Sequence, residues 1–183
     1  FCGTSPGAGI KHNKINNRYM KNILLLVFVL VCNVLQAQQI VFPVVRNFGG
    51  IYDIPDAVER PDPTLDYKIV IDLAGGSENP AVINDHLNNI ARMINLHGIG
   101  GVPKEKIKVV VAIHNQATYS IMDNESYNQR YKVDNPNLAL YKALREAGVE
   151  LFVCGQSLIG RNIDKTKISP DIKIATSMLT VLT

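Results

Sequence analysis

Metal ligands, phosphate loops and disulfide partners are what this chain has least of. Its four histidines and three cysteines share no spacing that closes on zinc: His86, His97 and His114 are scattered and no Cys-x-x-C pair occurs. The run Gly98-Ile99-Gly100-Gly101 follows a helical pattern and precedes Pro103. It therefore stops a helix, whereas a phosphate cradle needs strand, Gly-rich turn and helix in that order. Ala74-Gly75-Gly76-Ser77 has that order but neither nucleotide-loop spacing. The expectation is a protein without metal or cofactor.

A long apolar run is missing as well. Met20-Lys21-Asn22 opens a short basic segment, followed by Ile23–Cys32 and then Val34-Leu35-Gln36-Ala37. That stretch is too short for a confident bilayer span and closes on a small residue suited to signal peptidase. It is expected to be a secretory signal peptide over 20–37, with 1–19 upstream sequence of no structural role. The mature chain would be periplasmic or secreted, with no membrane contact once the leader is cleaved.

Basic excess disappears with that leader. Four of the 19 basic residues, Lys11, Lys14, Arg18 and Lys21, precede residue 38, and none of the 16 acidic ones does. What remains carries 15 basic against 16 acidic residues, a net charge of −1, and offers no basic patch for nucleic acid. Cys2 and Cys32 leave too. Cys154 then has no intramolecular partner, and a lone thiol in an exported chain is either intermolecular or free.

Residues 38–66 are punctuated by proline and yet hold Phe42, Phe48 and Tyr52, so an extended arm against the domain or a neighbouring subunit is expected. The domain proper is expected over 67–183. Lys68–Leu73 reads as a strand. Asn79-Pro80 reads as the start of a helix whose stripe is Ile83, Leu87, Ile90, Ala91 and Ile94. Ile107–Ile113 has the unbroken apolar character of a central parallel strand. Short helices are expected over Asp123–Tyr131 and Asn135–Ala147, then a strand ending at Cys154, a helix, a strand near Ile172–Ala175 and a helix from Ser177. This order predicts an α/β fold, a three-layer α/β/α sandwich on a largely parallel sheet. The apolar pattern is still running at Thr183, so a final strand beyond it is expected.

The candidate site centres on Glu150–Arg161. Cys154 stands where a strand becomes a helix, with Gly155 allowing the tight swing. At that junction helix N–H groups favour thiolate, and ligands gather at the carboxyl ends of parallel strands. Gln156 and Ser157 are expected to donate hydrogen bonds around the sulfur. His114, ending another strand, is a candidate acid, base or anion partner, and Asn115 a weaker binding candidate. Arg161, two turns along, is expected to be solvated. A Cys that merely ends a strand as a small buried hydrophobe is the competing reading.

From Tyr67 to Thr183 the chain resembles the DsrE/DsrF-like family, which includes TusD-type sulfur-relay subunits. The residues that carry the resemblance are Lys68–Leu73, Gly101-Val102-Pro103 before Val109-Val110-Val111, His114, Asp134–Leu138, Glu146–Val149 and Val153–Ser157. It implies a three-layer sandwich assembled as trimers or hexamers, and a persulfide carried at the position of Cys154. Ser157 stands where some relatives have a second cysteine, so sulfur would pass to a partner thiol. Donor and acceptor are unknown. The alternative is a non-enzymatic oligomeric binding or assembly module with a structural cysteine.

Overall fold

The computed structural model describes residue 3, residues 20–22 and residues 38–183. The expected signal peptide lies outside the described residues apart from its first three, which are helical, and the upstream segment lies outside them apart from Gly3. Gln39–Thr183 form a compact unit. The elements follow as β1 (Tyr67–Leu73), α1 (Asp85–Ile99), β2 (Ile107–Ile113), α2 (Asn124–Tyr131), α3 (Leu138–Glu146), β3 (Glu150–Cys154), α4 (Gly155–Gly160), β4 (Lys173–Ala175) and α5 (Leu179–Leu182). Short 3-10 helices over Lys104–Lys106 and Asn115–Ile121 flank β2. The element order is the one read from sequence.

All four strands are parallel and lie in the order β1-β2-β3-β4. Moving one strand in the same direction each time, with right-handed crossovers, sends every crossover helix to one face of the sheet. The core agrees. Val109, Val111, Leu151 and Val153 on the strands are buried with Leu87, Ile90 and Ile94 of α1 and Leu140 and Leu144 of α3. The opposite face carries Lys68, Val70 and Asp72 of β1, all exposed, with Lys108, Glu150 and Lys173 beside them. At the carboxyl end of the sheet α5 returns to it, packing against β2. The fold is α/β with an all-parallel sheet flanked by helices.

The start of α1 differs from expectation. Asn79 folds into a local turn, its Oδ1 accepting from Ala81 N at 2.9 Å, and the helix waits until Asp85. Asn84 is the true cap: fully buried, it accepts from the N–H groups of His86 and Leu87 and donates to Gly75 O at 2.8 Å. A cap whose side chain is also fixed by the preceding loop outcompetes an exposed Asn-Pro signal. Asn84 N in turn donates to Asn137 Oδ1, Asn137 donates to Asn135 Oδ1, and Asn135 donates to the carbonyls of Ser120 and Met122. This asparagine ladder ties the loop after β1, the 3-10 helix after β2 and the start of α3 into one layer beneath the strand ends. Such buried amides hold their loops rigid because each group lost would leave another unpaired.

The segment before β1 docks on two asparagines of α1, Asn88 accepting from Gly49 N at 2.9 Å and Asn95 making most of the hydrogen bonds. Asn95, fully buried on α1, accepts from Val44 N and Val45 N at 3.0 and 2.8 Å and donates toward the carbonyls of Val45, Phe48 and Gly49. Val45 and Ile51 are buried, while Phe42 and Tyr52 remain exposed at 38% and 48%. At Gly49, with φ +60°, an added Cβ would stand 2.2 Å from Arg92 N. Here the arm lies on helix backbone, and only glycine fits.

Candidate functional site at the carboxyl edge of the sheet

Cys154 is the last residue of β3 and precedes α4. It pairs in register with Ala175 of β4, while Val153 pairs with Ile113, the last residue of β2. His114 continues β2 in extended conformation. By register it occupies the position next to Cys154, and by alternation both side chains leave the sheet on its open face.

Gly155 is required for space rather than for a turn. Its φ is not in the left-handed region, but a Cβ there would meet Ala175 O at 2.9 Å and Thr176 O at 3.4 Å. Glycine lets α4 start hard against the end of β4, which brings Ser177 and Met178 over the sulfur. Cys154 Sγ lies 4.0 Å from Ser177 Oγ, and the residue is 4% exposed. Burial alone would push the thiol up. It is outweighed by the backbone N–H groups of Met178 and Ser157 and the hydroxyls of Ser157 and Ser177, which hold Cys154 below the ordinary thiol value.

The other expected residues divide. Ser157 faces the sulfur, and its hydroxyl accepts from Asn115 N at 3.4 Å. Gln156 does not: its Nε2 points to Thr176 O at 3.4 Å. The His114 imidazole turns away to Asp72 on β1, bonding through Nε2 to the carboxylate. Asp72 was not read from the sequence. Its signal was available, a carboxylate following the apolar run Ile69–Ile71 as the penultimate residue of the strand. Asn115 takes a left-handed φ of 48°, tolerable for asparagine, and its Oδ1 accepts from Arg161 Nη2 at 2.5 Å. Arg161 is thus held against the site rather than solvated. Among the described residues no group of three potential metal ligands gathers, and no helix is long and apolar enough to cross a membrane.

A buried thiol ringed by N–H and hydroxyl donors, with an imidazole–carboxylate pair one strand away, is equipped to stabilise a sulfur anion and to move a proton beside it. The description DsrE/DsrF-like family matches residues 68–183. The chain belongs to the DsrE/DsrF-like family. No curated protein matches significantly. Among solved structures, this family member is similar to a protein of unknown function, MTH1491, from Methanobacterium thermoautotrophicum, at 13% identity. That alignment covers 64% of this chain and 88% of the other, with a TM-score of 0.47.

The depressed thiol value has a measurable consequence. Alkylation by iodoacetamide should follow a titration curve whose midpoint lies below that of an unperturbed cysteine, about 8.5. Restricted access of the reagent lowers the rate at every pH without itself moving the midpoint. The sign for stability is the same as for a depressed carboxylate. The thiolate contributes stability that is complete above the unfolded-state value and lost as pH falls through the folded one. A midpoint at or above 8.5 would contradict the donor arrangement.

Proposed function

We propose that Cys154 is a sulfur carrier that holds sulfane sulfur as a persulfide between a donor and an acceptor. The observation that supports this reading best is the convergence of Ser157, Ser177 and the Met178 N–H on one buried sulfur, in a family associated with sulfur relay. In the loading step the Cys154 thiolate attacks the terminal sulfur of an inorganic polysulfide. A new S–S bond forms at Cys154, the donor's S–S bond breaks, and the shortened polysulfide leaves with the electron pair. In the unloading step an acceptor thiolate attacks that outer sulfur and Cys154 departs as thiolate. No external oxidant or reductant is consumed. The cover over the sulfur is weakly held: α5 has no buried residue and Leu179 is 66% exposed. Opening it costs little compared with opening the core. Intact-mass measurement of native protein before and after polysulfide, and again after reduction, tests the reading. A reversible gain of sulfur supports it, and a thiol silent to both polysulfide and alkylation overturns it.

The 4% exposure of Cys154 is what favours the second reading, a non-enzymatic assembly module with a structural cysteine. Either way the reading includes export under the 20–37 leader, which N-terminal sequencing of protein from its native host checks. It also includes self-association as a trimer or hexamer. The open sheet face leaves Val70 52% exposed, and Tyr52 and Ile54 of the arm are 48% and 62% exposed, apolar surface that a neighbouring subunit would cover. Light scattering at micromolar concentration is expected to give a mass three or six times that of the protomer, and a monomer contradicts the assembly.

A further inference from the structure

Next to the cysteine site lies a cavity of about 470 Å³, lined by Tyr119 and by three cations and two carboxylates. Its charges are unequally partnered. Glu125 is taken by Lys167 Nζ at 2.6 Å, and Asp164 Oδ1 accepts from the amide and hydroxyl of Thr166, both at 2.8 Å. That leaves Arg130 and Arg161 without a carboxylate among the described residues. Both guanidinium groups gather on one ring. Arg130 Cζ lies 4.1 Å from the Tyr119 centroid and Arg161 Cζ 5.9 Å from it. Two cations set against one aromatic ring, neither with a carboxylate of its own among the described residues, are suited to bind an anion between them.

Arg161 is also under-used. It donates one hydrogen bond, from Nη2 to Asn115, and its Nε is buried without an acceptor. Buried donors are nearly always satisfied, so this one calls for a partner that a small rotation of the fork would reach. The connection to the thiol is short. Asn115 joins Arg161 through its side chain to Ser157 through its N–H, and Ser157 faces Cys154. Arg161 is the first residue beyond α4, and its guanidinium reaches the sulfur's surroundings through Asn115 and Ser157 in turn, so two residues stand between it and the thiol. A ligand touching both guanidinium and sulfur must therefore carry its anionic group several bonds from its reacting atom. Sulfide or sulfite is too short for that.

We propose that Arg161 and Arg130, gathered on Tyr119, bind the carboxylate of a small thiol that accepts sulfur from Cys154. This rests on the carrier reading for its chemistry but not for its binding. Transfer is balanced: the acceptor thiolate attacks the outer sulfur of Cys154–S–SH, the Cys–S–S bond breaks, and Cys154 leaves as thiolate while the acceptor becomes the persulfide. The proton stays on the transferred sulfur.

Binding and transfer separate in one experiment on the full chain. The Nε–H resonances of Arg161 and Arg130 are followed by NMR during titration with 3-mercaptopropionate and with sulfur-free glutarate. Both probes should shift both resonances, in the native chain and in Cys154→Ser alike. Arg161→Gln and the exposed Arg130→Gln should each weaken binding about tenfold or more. Lys165→Gln, a nearby exposed cation, should change it less than twofold. Resonances that do not move, or that move equally in the Arg161→Gln and Arg130→Gln variants, overturn the proposal whatever happens at Cys154. If both probes bind but polysulfide never loads Cys154, the carrier reading fails and the acceptor role falls with it, while the carboxylate site stands. On loaded protein, transfer to 3-mercaptopropionate should exceed transfer to 2-mercaptoethanol at equal thiolate concentration, and Arg161→Gln should erase the difference. Equal rates in the native chain overturn the acceptor assignment.

Discussion

Cys154→Ser is expected to abolish the gain of sulfane sulfur completely while leaving the fold in place. The substitution keeps the shape of a side chain that is 4% exposed. The hydroxyl enters a pocket already lined by the hydroxyls of Ser157 and Ser177 and the N–H of Met178, so it finds partners where an apolar replacement would strand them. A change in stability within about 1 kcal/mol is expected. Chemistry, by contrast, is all-or-none. Cys154 is the one cysteine among the described residues, and a serine oxygen cannot carry sulfur as a reducible S–S bond. Uptake that persists in Cys154→Ser, measured by intact mass under the same polysulfide exposure, would place the chemistry elsewhere. The His114 imidazole sits one strand away and is bonded to Asp72, and it has no sulfur with which to carry the persulfide.

The strand–helix order and the Cys154 junction were legible because each rests on local signals. Apolar runs of strand length, Gly148 with φ +94° after α3, and a Cys-Gly step entering α4 say what they are within a few residues. The partners of the site were not legible. That His114 faces Asp72 depends on β1 lying beside β2 in register, with Asp72 opposite Ala112. The same register argument moves Arg161 from the solvated surface to Asn115, 46 residues away in sequence. Gly155 was read as a hinge because glycine usually means backbone freedom, whereas the constraint is the Ala175 carbonyl, which only the sheet order brings near. The helix start at Asp85 was missed for a related reason. Asn79-Pro80 satisfies every local rule for a cap, and Asn84 wins through hydrogen bonds to Gly75 and Asn137 that no local rule contains.

Asn95 is the residue whose loss should cost the fold most for its size. It lies on the core stripe of α1, four residues after Ala91 and eight after Leu87, where the pattern calls for an apolar side chain. A polar residue on that stripe is itself the sequence signal that something must be satisfied there. Its single amide serves two N–H groups and three carbonyls of the segment Val44–Gly49. Asn95→Leu fills the volume but strands Val45 N, in a residue 1% exposed, and leaves Val44 N with only partial access to water. At roughly 1–3 kcal/mol for each buried group left unpaired, a loss of about 3–5 kcal/mol is expected in urea denaturation. The segment cannot escape by settling closer to the helix, because Gly49 already lies on the backbone of Ala91 and Arg92. Limited proteolysis should then cut first between Val41 and Ile51, whose antiparallel bridge closes that loop, before any cut in β2 or β3. A loss below 1 kcal/mol, or first cleavage within the sheet, would mean that apolar burial of Val45 and Ile51 holds the arm and the amide is incidental.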